Sequence, residues 1–281
     1  MESAGKRRCD TRRRPPPAAP EAARAAHTRL PRRYDQPMQD LDPSVAPGPA
    51  ELGHVVAIVP VRGLERAKTR LGEALDPEER RALVEGLLRR TIRAAITTPG
   101  IRAVAVVSPD PEALAVAADS GAVTLPQGGG GLNEGLAEGR AWARELGATA
   151  LLVVPADLPA IGPDELGRVL AAARDRLATS RAGGTAATSL VALVPDRAGE
   201  GTNLLLLAPP GAIPFQFGPG SRAAHAGAAA RAGATYLEIE GPLGLDLDTP
   251  ADLLAAEAVG LGGSAIDLPS ATPTRGPGRD A

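Results

Sequence analysis

The chain has 281 residues and a formal net charge of −2, and only five residues are aromatic: one Trp, two Tyr and two Phe. So few rings exclude the stacking platforms that bind single-stranded nucleic acids, and the lone cysteine, Cys9, excludes an internal disulfide or a cysteine-based zinc site. No apolar stretch is long enough to span a membrane, and the arginine-rich start lacks the apolar segment of a secretory signal, so the expectation is a cytoplasmic protein with neither membrane nor nucleic acid as partner.

In chain order, residues 1–50 are rich in Pro, Arg and Ala, with basic clusters at Lys6-Arg7-Arg8 and Arg12-Arg13-Arg14 and no apolar period. Such a segment cannot bury enough apolar surface to offset its ordering entropy and reads as a disordered basic tail. Residues 1–36 hold ten Lys or Arg against four acids, which leaves the rest of the chain about eight charges negative. A negative body that handles phosphates needs a metal or local Lys and Arg. Residues 261–281, dominated by Gly, Pro, Ser and Thr, read as a second disordered tail, so one ordered unit is expected over 53–260.

Inside that unit, short β-branched or leucine-rich runs alternate with longer helical ones, the pattern of βα units on a mostly parallel sheet with helices on both faces. Residues 55–60 form a buried-type strand. A loop with Arg62, Lys68 and Arg70 follows, and Asp76-Pro77-Glu78-Glu79 opens a helix with an N-cap, a proline at the first helical position and early acids. Residues 103–107 are the second strand and 111–120 the helix behind it. A short strand at 123–125 leads to a glycine run, 128–131, and to a helix over 132–146. The fourth strand, 150–155, runs into Asp157, and a helix is expected over 163–177. Strands at 189–195 and 203–207 flank a turn at 196–201, Ser221 caps a helix through residue 232, and residues 235–239 are a late strand. An apolar run at 243–247 reads as a strand carrying Asp246 and Asp248 out of the core, and Thr249-Pro250 starts the closing helix.

Two acidic clusters share one local grammar: Pro155-Ala-Asp157-Leu-Pro159 and Gly244-Leu-Asp246-Leu-Asp248-Thr-Pro250. Ligands of open α/β sheets bind where strands end. Carboxylates gathered there repel one another unless a cation sits between them, and Mg²⁺ favours one or two carboxylates together with substrate phosphate oxygens. The alternative is that these aspartates form turns and cap helices. The cations Arg62, Lys68 and Arg70 lie where a nucleotide-binding sheet meets phosphates. Their spacing matches neither a Walker loop nor a Gly-x-Gly-x-x-Gly fingerprint. Gly130 and Gly131 allow close backbone approach before a helix, and the carboxamide of Asn133 has the donors and acceptors to read a purine edge. The segments Gly201-Thr202-Asn203 and Phe215-Gln-Phe217-Gly218-Pro-Gly220-Ser221 supply hydroxyls and free backbone donors for an anion, although Ser221 reads equally as an ordinary N-cap. His225, one turn into the next helix, reads as a surface or packing residue.

Six segments in register resemble the phosphoenolpyruvate or 2-phospho-L-lactate guanylyltransferases of coenzyme F(420) biosynthesis. They are V-P-V-R-G-L-E-R-A-K-T-R-L at 59–71, G-L-N-E-G-L at 131–136, P-A-D-L-P at 155–159, G-T-N at 201–203, F-G-P-G-S-R-A-A-H at 217–225 and D-L-D-T-P at 246–250. The resemblance implies a single Rossmann-like nucleotidyltransferase domain and transfer of GMP from GTP to a small phosphorylated acid. It also implies Mg²⁺ on Asp157, Asp246 and Asp248, triphosphate contacts from Arg62, Lys68 and Arg70, and a purine loop at Gly130, Gly131 and Asn133. Thr202, Gly218 and Ser221 match the positions that bind the acid. Arg62 stands where a lysine is usual in this family, a planar fork in place of a point charge. Phosphoenolpyruvate is the preferred acceptor, with 2-phospho-L-lactate, a sugar phosphate or molybdopterin as alternatives. A nucleotide-binding regulator that uses its basic arm on nucleic acid is the reading from another class. The residues leave oligomeric state open, a homodimer included.

Overall fold

Strand β1 (Val55–Pro60) shows how the core is built. Successive side chains of a strand face opposite ways, and here Val55, Ala57 and Val59 enter one apolar cluster while Val56 and Ile58 enter another. A strand buried on both faces needs apolar residues at every position, which is why this segment and its neighbours read as continuous runs rather than alternating ones. The computed structural model describes residues 52–64, 68–183 and 188–258. The tails expected at 1–50 and 261–281 lie outside the described residues.

The remaining strands are β2 (Ile101–Ser108), β3 (Val123–Pro126), β4 (Ala150–Val153), β5 (Leu190–Pro195), β6 (Thr202–Ala208) and β7 (Thr235–Glu238). Among the described residues they form one seven-stranded sheet in the order β3-β2-β1-β4-β6-β5-β7. All neighbouring pairs are parallel except those of β6, which runs antiparallel to β4 and β5. The short turn between β5 and β6 explains the exception, because only antiparallel strands can be joined so tightly.

Among the described residues there are six helices, α1 (Pro77–Thr97), α2 (Pro111–Asp119), α3 (Leu132–Glu145), α4 (Pro163–Ala182), α5 (Ser221–Arg231) and α6 (Pro250–Ala258), of which the first five cover the sheet. One face receives α1 through Leu88 and Ile92, α2 through Ala113 and Ala117, and α4 through Leu166, Leu170 and Ala173. The other receives α3 through Leu136 and Ala143 and α5 through Ala228 and Ala229, together with Ile213 and Phe215. Each fully buried Leu or Ile contributes about 1.5–3 kcal/mol of burial free energy. The start of α1 is a capping box: the Asp76 carboxylate accepts from the amides of Glu78 and Glu79, both at 2.9 Å, and the Glu79 carboxylate accepts from the Asp76 amide. In α3, a Cβ at Gly139 would come within 2.9 Å of Ile58 Cγ2, so this helix lies closer to the sheet than any other residue there would permit.

One expected element is absent. Residues 243–247 are not a strand: a 3₁₀ turn at Pro242–Gly244 gives way to extended chain. Among the described residues no strand pairs with this segment. It is held instead by the Leu247 amide, which donates to the Asp157 carbonyl at 3.0 Å, and by the buried Leu247 side chain.

Candidate active site

Strand direction gathers the motifs at one end of the sheet. β1, β2, β3 and β4 are mutually parallel through the ladder, so the chains leaving them at residues 61–64, 109–110, 127–131 and 154–159 emerge at the same edge. β6 is antiparallel, so its first residue, Thr202, lies at that edge as well, opposite Pro195 at the end of β5.

The two acidic clusters meet there. One carboxylate oxygen from each of Asp157, Asp246 and Asp248 lies within 4.8 Å of the other two. The hydrogen bond from Leu247 to the Asp157 carbonyl clamps the two segments together. A third apolar cluster does the rest: Leu247 packs with Leu71 of the 3₁₀ turn Thr69–Glu73, with Leu83 and Leu87 of α1, and with Leu253 and Ala256 of α6. That cluster joins the loop after β1 to the Asp246–Asp248 segment. Helix capping does not account for Asp248. The start of α6 is closed by Asp252, whose Oδ2 accepts from the amides of Asp248 and Thr249 and from the Thr249 hydroxyl.

Lys68 completes the cluster. Its backbone is left-handed, with φ 57°, and its Nζ donates to Asp157 Oδ2 at 2.7 Å and to Asp248 Oδ1 at 2.5 Å. The Lys68 side chain is only 8% exposed, against 31% for Asp157 and 46% for Asp248. Burial alone would lower the ammonium's pKa, and the two carboxylates more than offset it, so the net direction is upward and the group stays charged. The carboxyl of Asp246 is pushed up to about 6, first by burial and then by the neighbouring Asp157 and Asp248. A carboxyl held against ionisation by its neighbours, in a set of oxygen donors only, fits a hard divalent cation such as Mg²⁺. Arg62 and Arg70, the other two expected cations, are exposed and form no ion pair among the described residues.

The glycine run is organised by two side chains that the sequence reading passed over. Gln127 Nε2 donates to the carbonyls of Gly129 and Gly131, both at 2.9 Å, and Glu134 Oε2 accepts from the Gly131 amide at 2.9 Å. Gly130 has φ +81°, a conformation that needs glycine. A glutamine before the run and a glutamate three residues past its end were the available signals. Asn133 is placed differently from the expectation of a free purine reader. Its Nδ2 donates to the Phe217 carbonyl at 3.1 Å and its Oδ1 accepts from the Phe217 amide at 2.9 Å, so the carboxamide ties the start of α3 to the loop before α5.

That loop leads to the third group of expected residues. Ser221 is not the N-cap of α5; Gly220 is, in a left-handed conformation with φ 70°. This turn places Ser221 inside the first helical turn, 2% exposed, with its hydroxyl donating to Thr202 Oγ1 at 3.2 Å. Gly218, with φ +134°, is exposed on the same loop. Thr202 and Ser221 are therefore in contact and Gly218 lies three residues from Ser221. His225, read as a surface or packing residue, is fully buried. Asn203, next to Thr202, donates to the Leu243 carbonyl at 3.0 Å and so steadies the turn that precedes Asp246.

Similarity to known proteins agrees with this geometry. The family model described as "Guanylyl transferase CofC like" matches residues 55–265. A phosphoenolpyruvate guanylyltransferase of Rubrobacter xylanophilus is 47% identical over 207 residues, covering 73% of this chain and 95% of the relative. One from Sphaerobacter thermophilus is 45% identical over 200 residues, covering 70% and 90%. Among solved structures, a putative nucleotide-diphospho-sugar transferase from Desulfovibrio desulfuricans superposes with a TM-score of 0.57 at 16% identity, covering 75% of this chain and 89% of the other. A 4-diphosphocytidyl-2C-methyl-D-erythritol synthase from Anaerococcus prevotii gives 0.50 at 9% identity, covering 74% and 96%. The structural likenesses establish the nucleotidyltransferase fold, and the family match over most of the chain establishes its membership: this enzyme belongs to the CofC-like guanylyl transferases.

Proposed function

We propose that the enzyme transfers GMP from GTP to phosphoenolpyruvate, releasing pyrophosphate and forming enolpyruvoyl-2-diphospho-5'-guanosine for coenzyme F(420) biosynthesis. The observation that carries this reading is the meeting of Asp157, Asp246 and Asp248 around Lys68 at the sheet edge where the glycine loop and Thr202 also lie. Relatives named for this acceptor match over 70–73% of the chain, which favours phosphoenolpyruvate over 2-phospho-L-lactate.

In the reaction, an oxygen of the acceptor phosphate bonds to the α-phosphorus of GTP, and the bridging oxygen leaves with pyrophosphate. No general base is required, because a phosphate monoester is already ionised near neutral pH. The protein's work is positioning and charge stabilisation. Lys68, Arg62 and Arg70 supply positive charge beside the triphosphate. Gly130 and Gly131 let the nucleotide approach the loop closely, with the Gly131 main chain held by Gln127 and Glu134 and with Asn133 fixing the loop against Phe217. Thr202, Gly218 and Ser221 line the place for the small acid, with the Thr202 hydroxyl donating to it and Ser221, whose own hydroxyl is given to Thr202, supporting that hydroxyl. Asp157, Asp246 and Asp248 would hold Mg²⁺, which when bound neutralises charge on the triphosphate.

The test is to incubate the purified protein with GTP, Mg²⁺ and each phosphorylated acid in turn while following pyrophosphate. Release is expected with phosphoenolpyruvate; a preference for ATP, or turnover indifferent to chelation of divalent ions, refutes the reading. Asp157→Asn is expected to abolish transfer while leaving the fold intact, and full turnover in that variant would remove Asp157 from its role.

A further inference from the structure

His225 accepts at Nε2 from the main-chain amide of Gln216 at 3.1 Å. An amide can only donate, so Nε2 carries no proton and the ring is neutral with its proton on Nδ1. That proton points to Thr202 Oγ1 at 3.0 Å. Thr202 Oγ1 also accepts from the Ser221 hydroxyl at 3.2 Å. A hydroxyl oxygen has two lone pairs and one proton. Both lone pairs of Thr202 are thus occupied, and the only hydrogen bond left for it to make is as a donor. A group that can donate and not accept suits an anion's oxygen and turns away a donor such as an N–H.

The ring is held so that this arrangement cannot drift. His225 is 0% exposed, and Phe217 packs edge-on against it with ring centroids 5.0 Å apart. Phe217 is itself bound at both main-chain atoms by Asn133 from α3. The loop that carries Gln216, Phe217 and Gly218 is therefore fastened from two helices, α5 through the imidazole and α3 through the carboxamide.

We propose that His225 is a positioning residue for the acceptor: locked as the neutral Nδ1–H tautomer, it fixes the Thr202 hydroxyl as an obligate donor to the anionic acid and anchors the loop bearing Gly218. The inference rests on the placement of the acceptor at Thr202, Gly218 and Ser221 given above. It adds the residue that dictates which way the Thr202 hydrogen bond runs, acting through Thr202 without touching the acid.

Two measurements test it on the full chain. The first is ¹⁵N NMR of histidine-labelled wild-type protein near neutral pH, with the His225 signals identified by removing His27 and His54. A protonated, pyrrole-type Nδ1 and an unprotonated, pyridine-type Nε2 are expected; the opposite tautomer or an imidazolium overturns the proposal, and no substitution at His225 is needed. The second is a kinetic cycle with phosphoenolpyruvate and GTP. His225→Gln, whose terminal carboxamide can accept from the Gln216 amide at the Nε2 position but has no N–H at the ring's Nδ1 position facing Thr202, is expected to raise the KM for the acid about tenfold while leaving the KM for GTP within about twofold. Thr202→Val is expected to raise the same KM, and the double variant to be no worse than Thr202→Val alone, because one residue acts through the other. Additive effects, or an acid KM unchanged in His225→Gln while Thr202→Val raises it, overturn the role of His225. An acid KM unchanged in Thr202→Val itself overturns the acceptor placement and the proposal together, so the two failures are told apart.

Discussion

Asp246 illustrates how a site can be costly to the fold that carries it. Its carboxyl is pushed up to about 6 by burial and by two neighbouring carboxylates, so at neutral pH the protein ionises a group that its surroundings resist. In buffer free of divalent ions at neutral pH, Asp246→Asn is expected to stabilise the protein by about 1 kcal/mol, once solvent screening of a partly exposed group is allowed for. The same change abolishes transfer. Thermal melts with a chelator present, beside a pyrophosphate assay, check both halves. His225 works in the opposite sense. Burial holds its pKa down to about 4 against 6.5 for the free side chain, so below pH 6.5 the unfolded chain takes up a proton that the folded chain refuses. Stability is then full above about pH 6.5, declines as the pH falls towards 4, and has lost about 3 kcal/mol below that. Denaturant titrations at pH 7, 6 and 5 should show this loss in wild type and a flatter profile in His225→Gln. The identity of the acidic residues was readable from their place after apolar runs. The burial of His225 was not, because a histidine one turn into an alanine-rich helix looks the same whether that face meets solvent or Phe217.

At the scale of elements, the strands and helices follow from continuous apolar runs and from punctuation such as Asp76-Pro77 and Asp110-Pro111, and their observed bounds lie close to those expected. The exception is instructive. Residues 243–247 carry the apolar density of a strand, but a strand needs a neighbour to pair with, and the partners of β5 are already β6 and β7. The apolar side chains serve another purpose: Leu247 fills the cluster between α1 and α6 that brings Asp246 and Asp248 to Asp157. Gly139 is a second place where packing overrides local preference. Alanine there would gain about 1 kcal/mol of helix propensity, yet its Cβ would sit 2.9 Å from Ile58 Cγ2 and 3.2 Å from Val107 Cγ2 in a filled core. Overpacking of this kind costs about 1–3 kcal/mol. Gly139→Ala is therefore expected to destabilise by about 1 kcal/mol in urea unfolding. In an Ile58→Ala background, where the closest clashing atom is gone and only the 3.2 Å approach to Val107 Cγ2 remains, the same substitution should cost less or be neutral.

For the whole molecule, the family match begins at residue 55, at the first strand. Removing residues 1–50 is expected to leave turnover within about twofold and the melting temperature unchanged, measured side by side with the full chain. Salt-dependent binding to DNA that disappears with the deletion would reveal a separate duty for the basic arm. No described helix is long and apolar enough to cross a membrane. Composition, apolar runs and short motifs were enough to determine the fold class and the order of most of its elements, and to single out the acidic clusters, since these depend on local preference and on residue type. What tertiary structure alone decided was partnership. It set Lys68 between Asp157 and Asp248, bound Asn133 to Phe217, and joined His225 to Thr202 across 23 residues. Those contacts arise because parallel strands deliver distant loops to one edge and a single antiparallel strand brings Thr202 to it, and a linear pattern of residues does not encode which side chains will meet once they arrive.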